Sequence, residues 1–221
     1  MAFSIGPSPI ISNGLIFAID AIDITAYPRS GSTVYNILDP TTTGTFGSGV
    51  SWNPNNYFVY TGGGFINLNK NATGIGMYNA SYTAEAWVYP SQSLSGDRGI
   101  FGDNGSGLGQ GLHLIFRSGQ IYQGHFASDI SAGTVDLDQW YYITYTYNVS
   151  TGLAQIYKNS VFQGSGTILP YTGTTNINLG GSYGGAGPFI GYQAIYRIYN
   201  RVLSQTEITQ NFNANRGRFG I

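Results

Sequence analysis

The chain has 221 residues, a net charge of -1 and only 9% charged residues, against roughly 25% in an ordinary soluble domain. Nine Lys and Arg, with only one basic cluster, argue against nucleic-acid binding. Absence of cysteine removes disulfide frameworks, thiolate nucleophiles and Cys-ligated zinc.

In chain order, "MAFSIGPSPIISNGLIFAID" has no basic leading segment, and Ser12, Asn13 and Gly14 break its apolar run. It reads as neither a signal peptide nor a span of about 20 apolar residues, so no membrane insertion is expected and synthesis is placed in the cytoplasm. Residues 1–12 are expected to form an arm, 13–214 one domain and 215–221 a tail. Gly at 33 and Tyr at 18, set in short alternating runs, predict many strands joined by tight turns. Residues 40–64 are rich in Gly, Thr and Asn but carry Trp52, Tyr57, Phe58 and Tyr60, and read as short strands with long turns. The clearest strands are "YTAEAWVYP", "GLHLIFRSG", "QIYQGHFAS", "WYYITYTYNV", "GLAQIYKNS", "NINLGGS" and "FIGYQAIYRIY". In "WYYITYTY" the alternation puts Tyr141, Ile143, Tyr145 and Tyr147 on a core face and Trp140, Tyr142, Thr144 and Thr146 on a wetter one. A two-residue hairpin at "RSGQ" sets Arg117 opposite Gln120 and His113 opposite Gly124. The two histidines, His113 and His125, then point to opposite faces and share no metal. The one convincing helix is "LSQTEITQNFNANRG", with a Ser204–Glu207 capping box, an apolar stripe of Leu203, Ile208 and Phe212, and Gly217 as its stop.

The order of "YTAEAWVYP", "DQWYYITYTYN", "GLAQIYKNSVFQG" and "FIGYQAIYRIYNRVLSQTEITQNFN" resembles the laminin-G-type branch of the concanavalin A-like jelly rolls. The opening "NGLIFAIDAIDITAYPRSGSTVYNI" is similar to the start of versions found in phage and marine-bacterial structural proteins. The resemblance implies an all-β, two-sheet antiparallel jelly-roll sandwich with one short C-terminal helix. One departure is "IYKNS", where the family has Tyr-x-Asn-Gly.

Glycosidases of this broad class resemble one another in a strand of paired carboxylates. Here Glu85 stands without a second carboxylate on its strand, and the only other glutamate is Glu207 in the helix cap. Glu85 is therefore expected to be a structural hydrogen-bonding residue, and the chain no enzyme. No cofactor is expected. Because sugar-binding members of the fold hold Ca²⁺ in loops, Asp97, Asp103 and Asn104 are the candidate ligands should an ion bind, although Asp and Asn beside Gly are also ordinary turn residues. Sugar contacts need aromatic faces and amides, which nominates Trp52, Tyr57, Asn104 and Tyr183.

Two functions follow as expectations. The first is a non-catalytic virion structural protein, a phage capsid-decoration or fibre/tail-associated protein made in the host cytoplasm and adhering to glycans. Its partners would be capsid or other virion proteins and host-surface glycans, with homo-oligomerisation compatible. The low charge and amide-rich composition favour it. Phe3, Ile5, Arg216, Arg218 and Phe219 are its candidate interface residues, the last three because nothing in the sequence gives the tail a core to join. The second is a carbohydrate-binding lectin or adhesion protein, with or without Ca²⁺.

Overall fold

A computed structural model describes residues 8–181 and 187–221. Its strands form two antiparallel sheets. The first contains β1 (Leu15–Asp20), β4 (Val50–Asn53), β5 (Tyr57–Thr61), β7 (Tyr82–Pro90), β12 (Tyr141–Asn148), β13 (Leu153–Lys158), β14 (Val161–Thr167) and β16 (Ile190–Tyr199). Their order is β14-β13-β12-β7-β16-β5-β4. The outer side of β16 is shared, with β5 pairing its first half and β1 its second. The second sheet contains β2 (Thr33–Asn36), β3 (Asp39–Phe46), β6 (Ile66–Asn71), β8 (Asp97–Asp103), β9 (Leu112–Arg117), β10 (Gln120–His125), β11 (Ser128–Thr134) and β15 (Asn176–Leu179). It runs β11-β10-β9-β8-β15-β6-β3-β2.

Alternation along the strands builds the core between the sheets. Tyr141, Ile143, Tyr145 and Tyr147 of β12 enter it beside Tyr82, Ala84, Ala86 and Val88 of β7. Burying such rings supplies the main driving force for the sandwich. The hairpin at Ser118 and Gly119, both left-handed, pairs Gln120 with Arg117 and Gly124 with His113, the register expected. At "IYKNS", Asn159 (φ 50°) and Ser160 (φ 63°) make the same kind of turn between Lys158 and Val161, so a serine adopts the left-handed conformation that glycine holds more easily.

Helix α2 (Gln205–Phe219) starts as the sequence predicts. The Ser204 side chain accepts from the Glu207 N–H, and Glu207 reaches back to the N-cap backbone. Its end differs. The helix passes through Gly217 and stops at Gly220, whose φ of 74° and N–H bond to the Arg216 carbonyl form the cap. Residues 215–219 are therefore helical and not a free tail. A second, one-turn helix, α1 (Ala72–Ile75), is capped by Asn71 and is too short to show helical periodicity.

The helix also overturns the expected wet face of the first sheet. Tyr142 and Thr144 are fully buried and Thr146 almost so. On the outer face, α2 lays Ile208 and Phe212 over Trp87, Tyr142, Tyr157, Ala194, Ile195 and Tyr199, forming a second core. This face of β12 looks solvent-facing by alternation alone, but α2, five elements later in sequence, packs over its Tyr142.

Candidate functional site

Carboxylates come first, because an enzyme of this class would use them. Glu85 is buried on the outer face of β7, beneath α2. One of its oxygens accepts from the Tyr142 hydroxyl and from Asn211 Nδ2 at 2.9 Å. The other lies 3.7 Å from Arg197 Nη1. Burial pushes the Glu85 carboxyl up, opposed chiefly by the Arg197 charge. Arg197 in turn donates to Asn215 Oδ1 at 2.8 Å. Glu85 thus ties three strands and the helix together, as its structural assignment requires. Glu207 is held by Arg201 at 2.6 and 2.9 Å, which is the main reason its carboxyl falls to about 2.

His125 lies between the sheets. Its Nδ1 donates to the Leu169 carbonyl at 2.6 Å, so Nε2 accepts from the Tyr82 hydroxyl at 3.0 Å. Burial pulls this imidazole down to about 4. His113 points the other way and meets Asp129 at 3.1 Å, and that hydrogen bond leads the lowering of the Asp129 carboxyl.

The candidate Ca²⁺ ligands are not brought together. Asp97 and Asp103 occupy opposite ends of β8, about 20 Å apart for six steps of an extended strand. Asp97 is clamped by Arg117 at 2.7 and 3.1 Å. Asp103 is fully buried and accepts from Tyr171 Oη at 2.6 Å and from the N–H groups of Gly105 and Leu112. Asn104 bonds to Asn178 and, through its N–H, to Thr175. Among the described residues no three His, Asp or Glu side chains gather as a metal cluster.

The two aromatic sugar candidates that the structure describes lie in different places, and Asn104, beside Asn178, joins neither. Trp52 and Tyr57 sit on β4 and β5, not in loops. Trp52 walls a cleft of about 420 Å³ at the edge of the sandwich with Tyr27, Phe46 and Arg29. Tyr57 belongs to an aromatic cluster on the outer face of the first sheet. Tyr192 lies between Tyr57 and Tyr89, with ring centroids 4.4 and 5.2 Å away and interplanar angles of 33° and 30°. Trp140 inclines against the stack, 6.0 Å from Tyr57 and 5.5 Å from Tyr89. All four rings are partly exposed. They continue the outer face of β7 and β16 where α2 ends.

That end is closed by Phe219, which corrects its assignment as an interface residue. Its ring stacks on Trp87 at 4.1 Å and 15° and meets Trp140 at 4.6 Å. Arg218 likewise has partners within the chain, Asp20 at 2.6 Å and the Asn56 carbonyl at 2.6 Å. Arg216 is exposed, with its guanidinium 5.8 Å from the Phe212 ring centre. Tyr183, Phe3 and Ile5 lie outside the described residues.

Sequence reasoning missed Tyr89, Trp140 and Tyr192. Tyr192 stands directly opposite Tyr89 across β16 and β7. Only the register, displaced by a bulge between Gln193 and Ile195, brings those two outward tyrosines together. Among the described residues no helix is long and apolar enough to cross a membrane.

Known proteins share this architecture. The chain aligns over 96% of its length with Trypanosoma rangeli sialidase in complex with 2,3-difluorosialic acid, at 17% identity and a TM-score of 0.71. It spans only 35% of that chain, about a third. The binding domain of Paraclostridial Mosquitocidal Protein 1 aligns at 16% identity and a TM-score of 0.69, covering 91% of this chain and 52% of that one. Domain 4 of an extracellular GH43 arabinanase from Geobacillus stearothermophilus, in complex with arabinotriose, aligns at 18% identity and a TM-score of 0.61, covering 90% and 98%. At these identities the likeness is one of fold. No curated protein matches the sequence. The family described as the concanavalin A-like lectin/glucanases superfamily matches residues 60–209, more than half of the chain. With the two-sheet sandwich in place around those residues, the chain belongs to the laminin-G branch of the concanavalin A-like lectin/glucanase superfamily.

Proposed function

We propose that this chain is a non-catalytic carbohydrate-binding domain whose contact surface is the Tyr57–Tyr192–Tyr89–Trp140 cluster. The observation that carries the reading is the stack itself: partly exposed rings held by one another on a rigid sheet. A sugar presents apolar C–H faces and a rim of hydroxyls, so it is recognised by aromatic surface with polar groups beside it. The rings offer that surface, and their own hydroxyls supply the polar rim with Asn55, whose Nδ2 lies 3.4 Å from the Tyr57 hydroxyl, and Asp138, whose charge acts on Tyr89. Because neighbouring rings already restrain each side chain, little rotamer entropy remains to be lost on binding. Neither glutamate is free for catalysis. Glu85 is sealed under α2, and Glu207 is spent on the helix cap and Arg201.

The setting we favour for this adhesion is a virion surface, on the strength of the 9% charged content and the amide-rich composition. Docking through Phe219 and Arg218 is no longer part of that reading, since both are engaged within the chain. Mass spectrometry of purified particles tests the setting; particles without the protein count against it. A glycan array tests the binding. The parent should retain neutral oligosaccharides that Tyr192→Ala and Trp140→Ala release, and a parent that binds no glycan, or variants that bind equally well, would sink the proposal.

A further inference from the structure

The second aromatic place on the surface has a different chemistry. In the cleft beside β4, Arg29 is the one charged residue lining the wall among the described residues. Its guanidinium lies 5.2 Å from the centre of the Trp52 ring. The indole is fixed at its edge, since Trp52 Nε1 donates to the Ala21 carbonyl at 2.9 Å. The loop that carries Arg29 is pinned by the Tyr27 hydroxyl on the Gly31 carbonyl at 2.9 Å. Arg29 itself adopts φ 63°, a left-handed backbone that glycine would hold freely and that a residue with a side chain holds at a cost.

Four of the six other arginines sharpen the contrast, while Arg98 donates to the Ser93 and Asp97 carbonyls and Arg216 lies beside the Phe212 ring. Arg117, Arg197, Arg201 and Arg218 each face a carboxylate of this chain. Arg29 faces none among the described residues, and its one hydrogen bond to the protein runs from Nη2 to the Ile22 carbonyl at 3.2 Å. A guanidinium laid over an aromatic ring keeps its remaining N–H edge free for a planar anion. Such a fork matches a carboxylate with two parallel hydrogen bonds. A cleft of about 420 Å³ has room for a sugar residue, and Ser32 and Ser51 place hydroxyls on its walls.

We infer that the Arg29–Trp52 cleft is a separate binding site for an acidic saccharide, with the carboxylate of a uronic-acid residue on Arg29 and the sugar ring among Trp52, Phe46 and the two serines. This site is distinct from the neutral-sugar surface proposed above and does not depend on it. It is tested by titrating the full chain calorimetrically with three probes at low and high salt: a galacturonic acid trimer, the matching neutral galactose trimer and a sulfated galactose trimer. The carboxylated trimer should bind, and more weakly as salt rises. Arg29→Ala should weaken it roughly tenfold to a hundredfold, the range for a hydrogen bond to a charged group. Arg29→Lys, which keeps the charge but not the fork, should fall between. Arg216→Ala removes the same charge from an exposed site on α2 and should change nothing. Arg29→Gly should also lose binding while unfolding at or near the parent's temperature, because glycine suits that backbone; this separates a lost contact from a damaged fold. Equal binding by parent and Arg29→Ala, an Arg29-dependent component that favours the sulfated or neutral trimer, or no binding of the carboxylated trimer would each overturn the inference.

Discussion

Lowering the pH from 7 to 5 demands a proton of His125 that the folded chain resists. Its Nδ1–H is committed to the Leu169 carbonyl and Nε2 accepts from Tyr82, so the neutral ring is fully satisfied where it lies. Tyr147 and Tyr171 pack against it at 5.2 Å each, and the ring has no surface exposed to solvent that could stabilise a cation. Burial accordingly holds this imidazole at about 4, against 6.5 when unfolded. Between those values the unfolded chain binds the proton and the folded one does not, so stability is full above 6.5 and is lost as pH falls toward 4. At 1.36 kcal/mol per pH unit the whole loss is about 3 kcal/mol, of which about 2 kcal/mol should be gone by pH 5. Urea denaturation followed by tryptophan fluorescence at pH 7, 6 and 5 measures this for the parent and for His125→Gln. The variant starts less stable but carries no titrating ring, so its stability should decline about 2 kcal/mol less over the same interval. Carboxylates such as Glu207 and Asp129 titrate in both proteins and cancel in the difference. Parallel declines in parent and variant would refute the reasoning.

Phe219→Ala should cost about 2 kcal/mol, less than a fully buried Phe because the ring is partly exposed, and should shift Trp87 emission to the red as the stack opens. Arg216→Ala, beside it on the exposed side of α2, should change the unfolding free energy by no more than about 0.5 kcal/mol in urea denaturation. Glu85→Ala strands Arg197 under the helix without its buried counter-charge and should cost about 3–5 kcal/mol; a variant as stable as the parent would show that the pair is not needed. Adding Ca²⁺ or a chelator should leave the melting temperature unchanged, since Asp97 and Asp103 stand at opposite ends of β8; a rise with Ca²⁺ would point to a site elsewhere.

Much of the fold was legible because it rests on short-range rules. The alternation in "WYYITYTY" identified the inner face of β12, and two left-handed residues at Ser118 and Gly119 set the His113–Gly124 register. The capping box at Ser204 and Glu207 marked where α2 begins. Each is settled within a few residues by backbone geometry and local hydrogen bonds. The end of α2 was not, because Gly217 tolerates a helix when the next turn carries Phe219 into an aromatic contact with Trp87. The candidate binding surface was legible only in part. Tyr57 and Trp52 were found by residue type, but they lie on two different surfaces, and Tyr89 and Tyr192 became partners only through pairing across strands 103 residues apart in sequence.

By itself, then, the sequence determined the strand pattern, the inner faces and the helix start, because periodicity and capping act locally. Tertiary structure alone decided what covers an outer face. Helix α2 built a second core over Tyr142 on the side of β12 that alternation marks as wet, and its length left Tyr57, Tyr89, Trp140 and Tyr192 partly exposed around Phe219. Whether a ring is core or contact surface depends on which distant element lies over it, and spacing along a strand carries no record of that.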